Sequence, residues 1–96
     1  MSEQVHKLKD AVQVMHRCTA THRESVPVQE TFQGKVVWAG VVEVFDISGN
    51  PKASRCYAWR YHDDRNESKF VTLLKQPPAM SPQSAVHTYV ASLGRK

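Results

Sequence analysis

Two strand-forming runs around a Ser-Gly-Asn-Pro turn limit what this chain can become more than any other feature. Residues 35–47 (KVVWAGVVEVFDI) are dense in Val, Phe, Trp and Ile, which suit a pleated, half-buried surface. The turn formers Ser48, Gly49, Asn50 and Pro51 follow, and residues 54–62 (SRCYAWRYH) bring the chain back. The stretch 36–61 therefore reads as a hairpin. With Ile47 opposite Ala53, alternation puts Val41, Glu43, Phe45, Arg55, Tyr57, Trp59 and Tyr61 on one face, and Val42, Val44, Cys56 and Ala58 on the other. A slip of one residue in the pairing would exchange these partners. Neither set resembles a solvent face. A sheet apolar on both sides needs cover on both, from a helix on each face or from helices on one and a partner on the other.

The flanking segments supply candidates for that cover. Val5, Leu8, Val12 and Met15 recur at helical spacing, so residues 1–21 read as an amphipathic helix ending in Thr19-Ala20-Thr21-His22. Residues 24–33 (ESVPVQETFQ) alternate, but Pro27 cannot donate to a ladder, so this segment is an edge strand or an arm. Gly34 turns into the hairpin, and Gly40 within the long run marks a bulge or a close backbone approach. Lys69–Lys75 (KFVTLLK) is a third strand-like run, again apolar on both faces. Ser81-Pro82 begins a final helix over 81–93, with Val86, Tyr89, Val90 and Leu93 as its stripe, and Gly94, Arg95 and Lys96 suit its end. The expected fold is α+β: an antiparallel meander of three to four strands across 35–75, with an N-terminal and a C-terminal helix, all within one domain of residues 1–96.

Composition narrows the function classes. The chain has 96 residues with a 41% apolar and 23% charged content, ordinary for one small globular domain with a modest core. No segment approaches the roughly 20 apolar residues of a membrane span, so no membrane partner is expected. The start, MSEQVHKLKD, lacks an apolar core before a small-residue site, so no signal peptide is expected. Cys18 and Cys56 are isolated thiols, which fits a reducing cytoplasm. A net charge of +4 permits an anionic partner without demanding one.

Few residues gather into chemistry. Arg55, Tyr57, Trp59 and Tyr61 share a strand face, with Arg60 and Lys69 near in sequence. Rings interleaved with basic groups can stack bases and bind phosphate, although large rings more often fill a core or a subunit interface. His62-Asp63-Asp64 with Glu67 is the densest set of metal-ligand types but lacks paired-ligand spacing, so no metal or other cofactor is expected. Cys18 lies near His16 and His22, yet a helix C-terminus disfavours its thiolate. No catalytic constellation is recognisable. The α-β-β-β-α order is similar to that of the double-stranded-RNA-binding domain, whose last helix starts with a lysine-rich motif. The corresponding residues here, Ser81-Pro82-Gln83-Ser84, carry no basic group.

The run 34–59, marked by Val37-Trp38, Gly40-Val41-Val42, Val44-Phe45-Asp46 and Tyr57-Ala58-Trp59, resembles small bacterial proteins of unassigned function, often carried on mobile elements. The resemblance extends loosely through 70–91 and implies no activity. The leading functional expectation is a non-catalytic binding or assembly module, a homodimer joined through the aromatic sheet face. The alternatives are a nucleic-acid-binding protein using Arg55, Tyr57, Trp59, Arg60, Tyr61 and Lys69, and a small-molecule binder with its pocket between a helix and the sheet near Trp38 and Gly40.

Overall fold

Val5, Leu8 and Val12 lie on one side of the first helix, α1 (Glu3–His16), and are buried there. The computed structural model describes residues 3–62 and 65–93. α1 stops five residues short of the expected boundary. Arg17 takes a left-handed φ of 50° and Cys18 N–H donates to Gln13 O at 3.3 Å. That is the six-to-one closure of a Schellman cap. The Thr-rich residues expected to fray the helix instead open a strand.

That strand, β1 (Thr19–Phe32), absorbs the ambiguous segment whole and pairs with β2 (Lys35–Ser48) along its length. Gln33 and Gly34 join them, both at positive φ (54° and 78°), as a two-residue hairpin of type I′ requires. β1 is an edge strand, which accommodates Pro27. Two bulges interrupt the ladder, because Arg23 and Val37 each fall between successive pairs without a partner. Gly40 does mark a close approach, but by a side chain: a Cβ there would meet the end of the Trp38 ring at 3.1 Å.

β3 (Arg55–His62) pairs with β2 over four positions, and β4 (Ser68–Leu74) pairs with β3 over seven, completing an antiparallel meander in the order β1-β2-β3-β4. The register of the β2–β3 hairpin corrects the sequence expectation by one residue. Ile47 N–H donates to Ser54 O at 2.9 Å, and Phe45 then lies opposite Cys56 rather than Arg55. Phe45 and Glu43 therefore share a face with Cys56 and Ala58, while Val42 and Val44 join Tyr57 and Trp59.

Each face carries its own helix. α1 covers Phe45, Ile47, Cys56, Ala58 and Ala20. α2 (Pro82–Leu93) places Ala85 and Val86 against Val42, Val44, Tyr57 and Trp59. Ser81 caps α2 reciprocally. Its Oγ accepts from Ser84 N–H at 3.1 Å, and Ser84 Oγ accepts from Ser81 N–H at 2.8 Å. This is a capping box with serine in the usual glutamate position. Burial of each large apolar side chain in these two layers contributes about 1.5–3 kcal/mol. Gly94, Arg95 and Lys96, expected to close α2, lie outside the described residues.

Candidate interaction surfaces

The six residues singled out for binding do not form one surface. Tyr57 and Trp59 are buried under α2. Trp59 meets Trp38 and Tyr89 edge-on, with ring centroids 5.6 and 5.4 Å apart, and Tyr61 leans on Tyr89 at 6.2 Å. The aromatic face expected to await a partner is filled by the chain's own second helix. Arg55 is tied to Asp46 at 3.2 Å, and Arg23 holds the same carboxylate at 3.2 Å. Desolvation pushes the Asp46 carboxyl up, but the hydrogen bonds and charges of Arg23 and Arg55 together outweigh it and hold the carboxyl below the usual range. Tyr61 and Lys69 are cross-strand neighbours, and Lys69 lies 3.5 Å from Glu67. Arg60 points to the opposite face by alternation. Bases would find no stacked platform of Tyr57 and Trp59.

Other chemistry is similarly limited. Cys56 is fully buried, and its thiol is pushed up to about 12 by desolvation. Burial also raises the Cys18 thiol. Neither is a ready thiolate. Asp63 and Asp64, the densest part of the ligand-like loop, lie outside the described residues. Among the described residues, no group of three His, Cys, Asp or Glu side chains is placed to hold a metal ion, and no helix is long and apolar enough to cross a membrane.

One polar cluster was hidden in the strand pattern. Glu43 is only 6% exposed. It accepts a hydrogen bond from His22 Nε2 at 2.8 Å and another from Ser25 Oγ. These bonds span the Arg23 bulge and pin β1 to β2. Its only sequence signal was an acid inside an apolar run, Val42-Glu43-Val44. The set does not work as a Ser-His-Glu triad. His22 Nε2, the nitrogen that faces Ser25, donates its proton to Glu43 and has no lone pair to take another.

Among the described residues, two surfaces stand out that a partner or ligand could use. The first is the seam between α1 and β4. Val14 and Met15 are 77% and 70% exposed on α1, and Phe70 is 42% exposed on β4. Around them lie contiguous hollows of about 480 and 410 Å³ that share Ala11, Met15 and Phe70. His16 Nε2 and Thr72 Oγ1, 2.9 Å apart, tie the helix to the strand here, and burial lowers the His16 pKa. The second is a cleft of about 300 Å³ between α2 and the outer end of the β1–β2 hairpin. Its lining includes neither Trp38 nor Gly40, near which the sequence reading placed a pocket.

The two sheet edges differ in how they meet solvent. β1 carries a bulge at Arg23, a proline at Pro27 and charged Arg23 and Glu24, features that discourage strand addition. β4 carries no proline and no bulge across its seven pairs with β3. Its backbone orientation follows from one bond. Lys75 N–H donates to Arg55 O at 2.9 Å, so Leu73, Val71 and Lys69 also turn their backbone groups toward β3. Alternation in the ladder then directs those of Phe70 and Thr72 outward.

No family model matches the chain, and no curated protein and no solved structure is found similar to it. The functional reading therefore rests on geometry.

Proposed function

We propose that this protein is a non-catalytic assembly module that acts as a homodimer, its two copies joined edge to edge through β4 and backed by α1. The observation that carries this reading is the β4 edge, which has Lys69 but no proline and no bulge, beside an exposed apolar stripe, Val14, Met15 and Phe70. A twofold axis beside Val71 sets Phe70 of one copy opposite Thr72 of the other. Each then exchanges N–H and C=O bonds through the groups that face away from β3. The full strand overlaps in that register, and Lys69 falls opposite an apolar Leu73 rather than a second lysine. Val14 and Met15 lose their contact with water as the helices flank the new eight-stranded sheet. A specific interface takes about 800 Å² per partner, which a seven-residue edge and a helix stripe can supply. The aromatic face plays no part in the contact, because α2 covers it.

Light scattering across a dilution series tests this. The native chain is expected at twice the chain mass, at low and high salt alike, since the contact is apolar and backbone-mediated. Met15→Lys places a charge in the seam without touching either core, and is expected at the single-chain mass with an unchanged far-UV spectrum. A native chain of single mass at all concentrations would overturn the reading, as would a Met15→Lys variant that stays dimeric.

A further inference from the structure

β1 and β2 continue together well beyond their contact with β3. β2 pairs with β3 only from Glu43 to Asp46, while its ladder with β1 runs out to Phe32 and Lys35. α2 lies against this overhang, and the cleft of about 300 Å³ opens between them, at the small end of ligand sites, which span about 300–1,000 Å³. Its walls are apolar: Phe32, Val37, Val90 and Ala91, with Thr31. Val37 lines it as the extra residue of a bulge, between the Thr31–Val36 and Glu30–Trp38 pairs. Bulges re-aim side chains and are frequent beside functional sites.

The polar part of the lining, Glu30 and His87, is hydrogen-bonded. His87 Nδ1 lies 2.8 Å from Glu30 Oε1, and Gln83 Nε2 donates to Glu30 Oε2 at 2.7 Å. The hydrogen bond from His87 is the main reason the Glu30 carboxyl sits below its usual range. An ionised carboxylate only accepts, so His87 Nδ1 must carry the shared proton. In the neutral ring, Nε2 then keeps a lone pair, and it has no partner among the described residues.

The geometry points to a binding site for a compact, uncharged apolar molecule with a single hydroxyl or N–H donor. The apolar body fills the cleft and the donor meets His87 Nε2. A carboxylate ligand is disfavoured by the charge of Glu30, and an ammonium finds little of that carboxylate open to it, since the Glu30 side chain is only 14% exposed and both its oxygens already accept. The site is on the opposite side of the sheet order from β4, so it does not depend on the dimer.

Phenol is the probe, with toluene and benzoate as matched ligands lacking the donor or carrying charge. Each is titrated into the full native chain and followed by amide NMR shifts. Phenol is expected to give saturable shifts at Val37, Val90 and Ala91, with affinity at least fivefold above either matched ligand. Ala91→Leu, which fills the cleft, should weaken phenol at least tenfold, and His87→Phe should make phenol and toluene equivalent. The proposal is overturned if phenol gives no saturable shift at these residues, if benzoate or toluene binds as well to the native chain, or if Ala91→Leu leaves phenol binding intact. Should Ala91→Leu fail to fold, the three-ligand series on the native chain decides alone.

Discussion

Replacing Trp59 separates a core role for the aromatic strand from a role in contact with a partner. Its side chain is 1% exposed and is flanked by the rings of Trp38 and Tyr89. Trp59→Ala deletes the largest fully buried side chain and leaves a cavity beneath α2, a change that costs about 3–5 kcal/mol. A chain of this length holds roughly 5–14 kcal/mol in total, so about a fifth or more of the stability should disappear. Trp59→Phe divides the effect. Loss of the smaller indole ring costs about 1–2 kcal/mol in burial and packing. The same change removes Nε1, a buried donor that has no hydrogen-bond partner among the described residues, and leaving such a donor unpaired costs about 1–3 kcal/mol. The two contributions oppose, and Trp59→Phe should fall within about 1 kcal/mol of the native chain. Urea unfolding followed by far-UV circular dichroism reads both variants, with the slopes checked for constancy. If Trp59→Ala leaves stability unchanged, the ring is not core and the account of the α2 face is wrong. If Trp59→Phe costs as much as Trp59→Ala, the argument about the unpaired donor fails.

Three further outcomes follow from the same geometry. Arg17 holds a left-handed φ of 50° at the end of α1, so Arg17→Gly should raise stability by about 0.5–1 kcal/mol, read as a higher thermal midpoint; a lower midpoint would contradict the cap assignment. Cys56, fully buried with its thiol pushed up to about 12, should react with a thiol reagent only as fast as the chain unfolds, while Cys18 reacts sooner; equal rates in the native state would refute this. Burial lowers the His16 pKa, so below its ordinary value near 6.5 the unfolded chain takes the proton first. Stability should fall as pH drops from about 6.5 toward the folded-state value and level off below it. His16→Gln should remove that part of the slope in a pH series of melts.

The sequence carried the architecture further than it carried the surfaces. The density of β-branched, aromatic and aliphatic residues in 35–47 and 69–75 around turn formers, with the Ser81-Pro82 start, was enough for an α+β meander with terminal helices. The end of α1 was not legible, because it depends on Arg17 adopting a conformation that favours glycine. β1 was half visible: Pro27 marked it as an edge, but the strand also takes in Thr19 to Arg23, of which Thr19 to Thr21 read as the end of the helix. The largest consequence came from one residue of register. With Phe45 opposite Cys56, the two faces exchange partners, so Val42 and Val44 lie with Tyr57 and Trp59 as the floor under α2. Register depends on how the loop between β2 and β3 closes, here through Ile47 and Ser54, and turn residues alone do not specify it. The exposed α1–β4 seam was also out of reach. Met15 reads as part of the helix's apolar stripe, yet it is 70% exposed, since α1 turns only Val5, Leu8 and Val12 fully inward.

Amide hydrogen exchange at Phe70 and Thr72 tests the central claim most directly. Their N–H groups face away from β3, so a lone chain leaves them to solvent, while Val71 and Leu73 on the same strand are protected by the ladder. Edge-to-edge pairing predicts that all four are protected at concentrations where the dimer forms, with protection of Phe70 and Thr72 lost on dilution. Fast exchange at Phe70 and Thr72 at every concentration, beside slow exchange at Val71 and Leu73, would show that β4 remains an open edge and contradict the account.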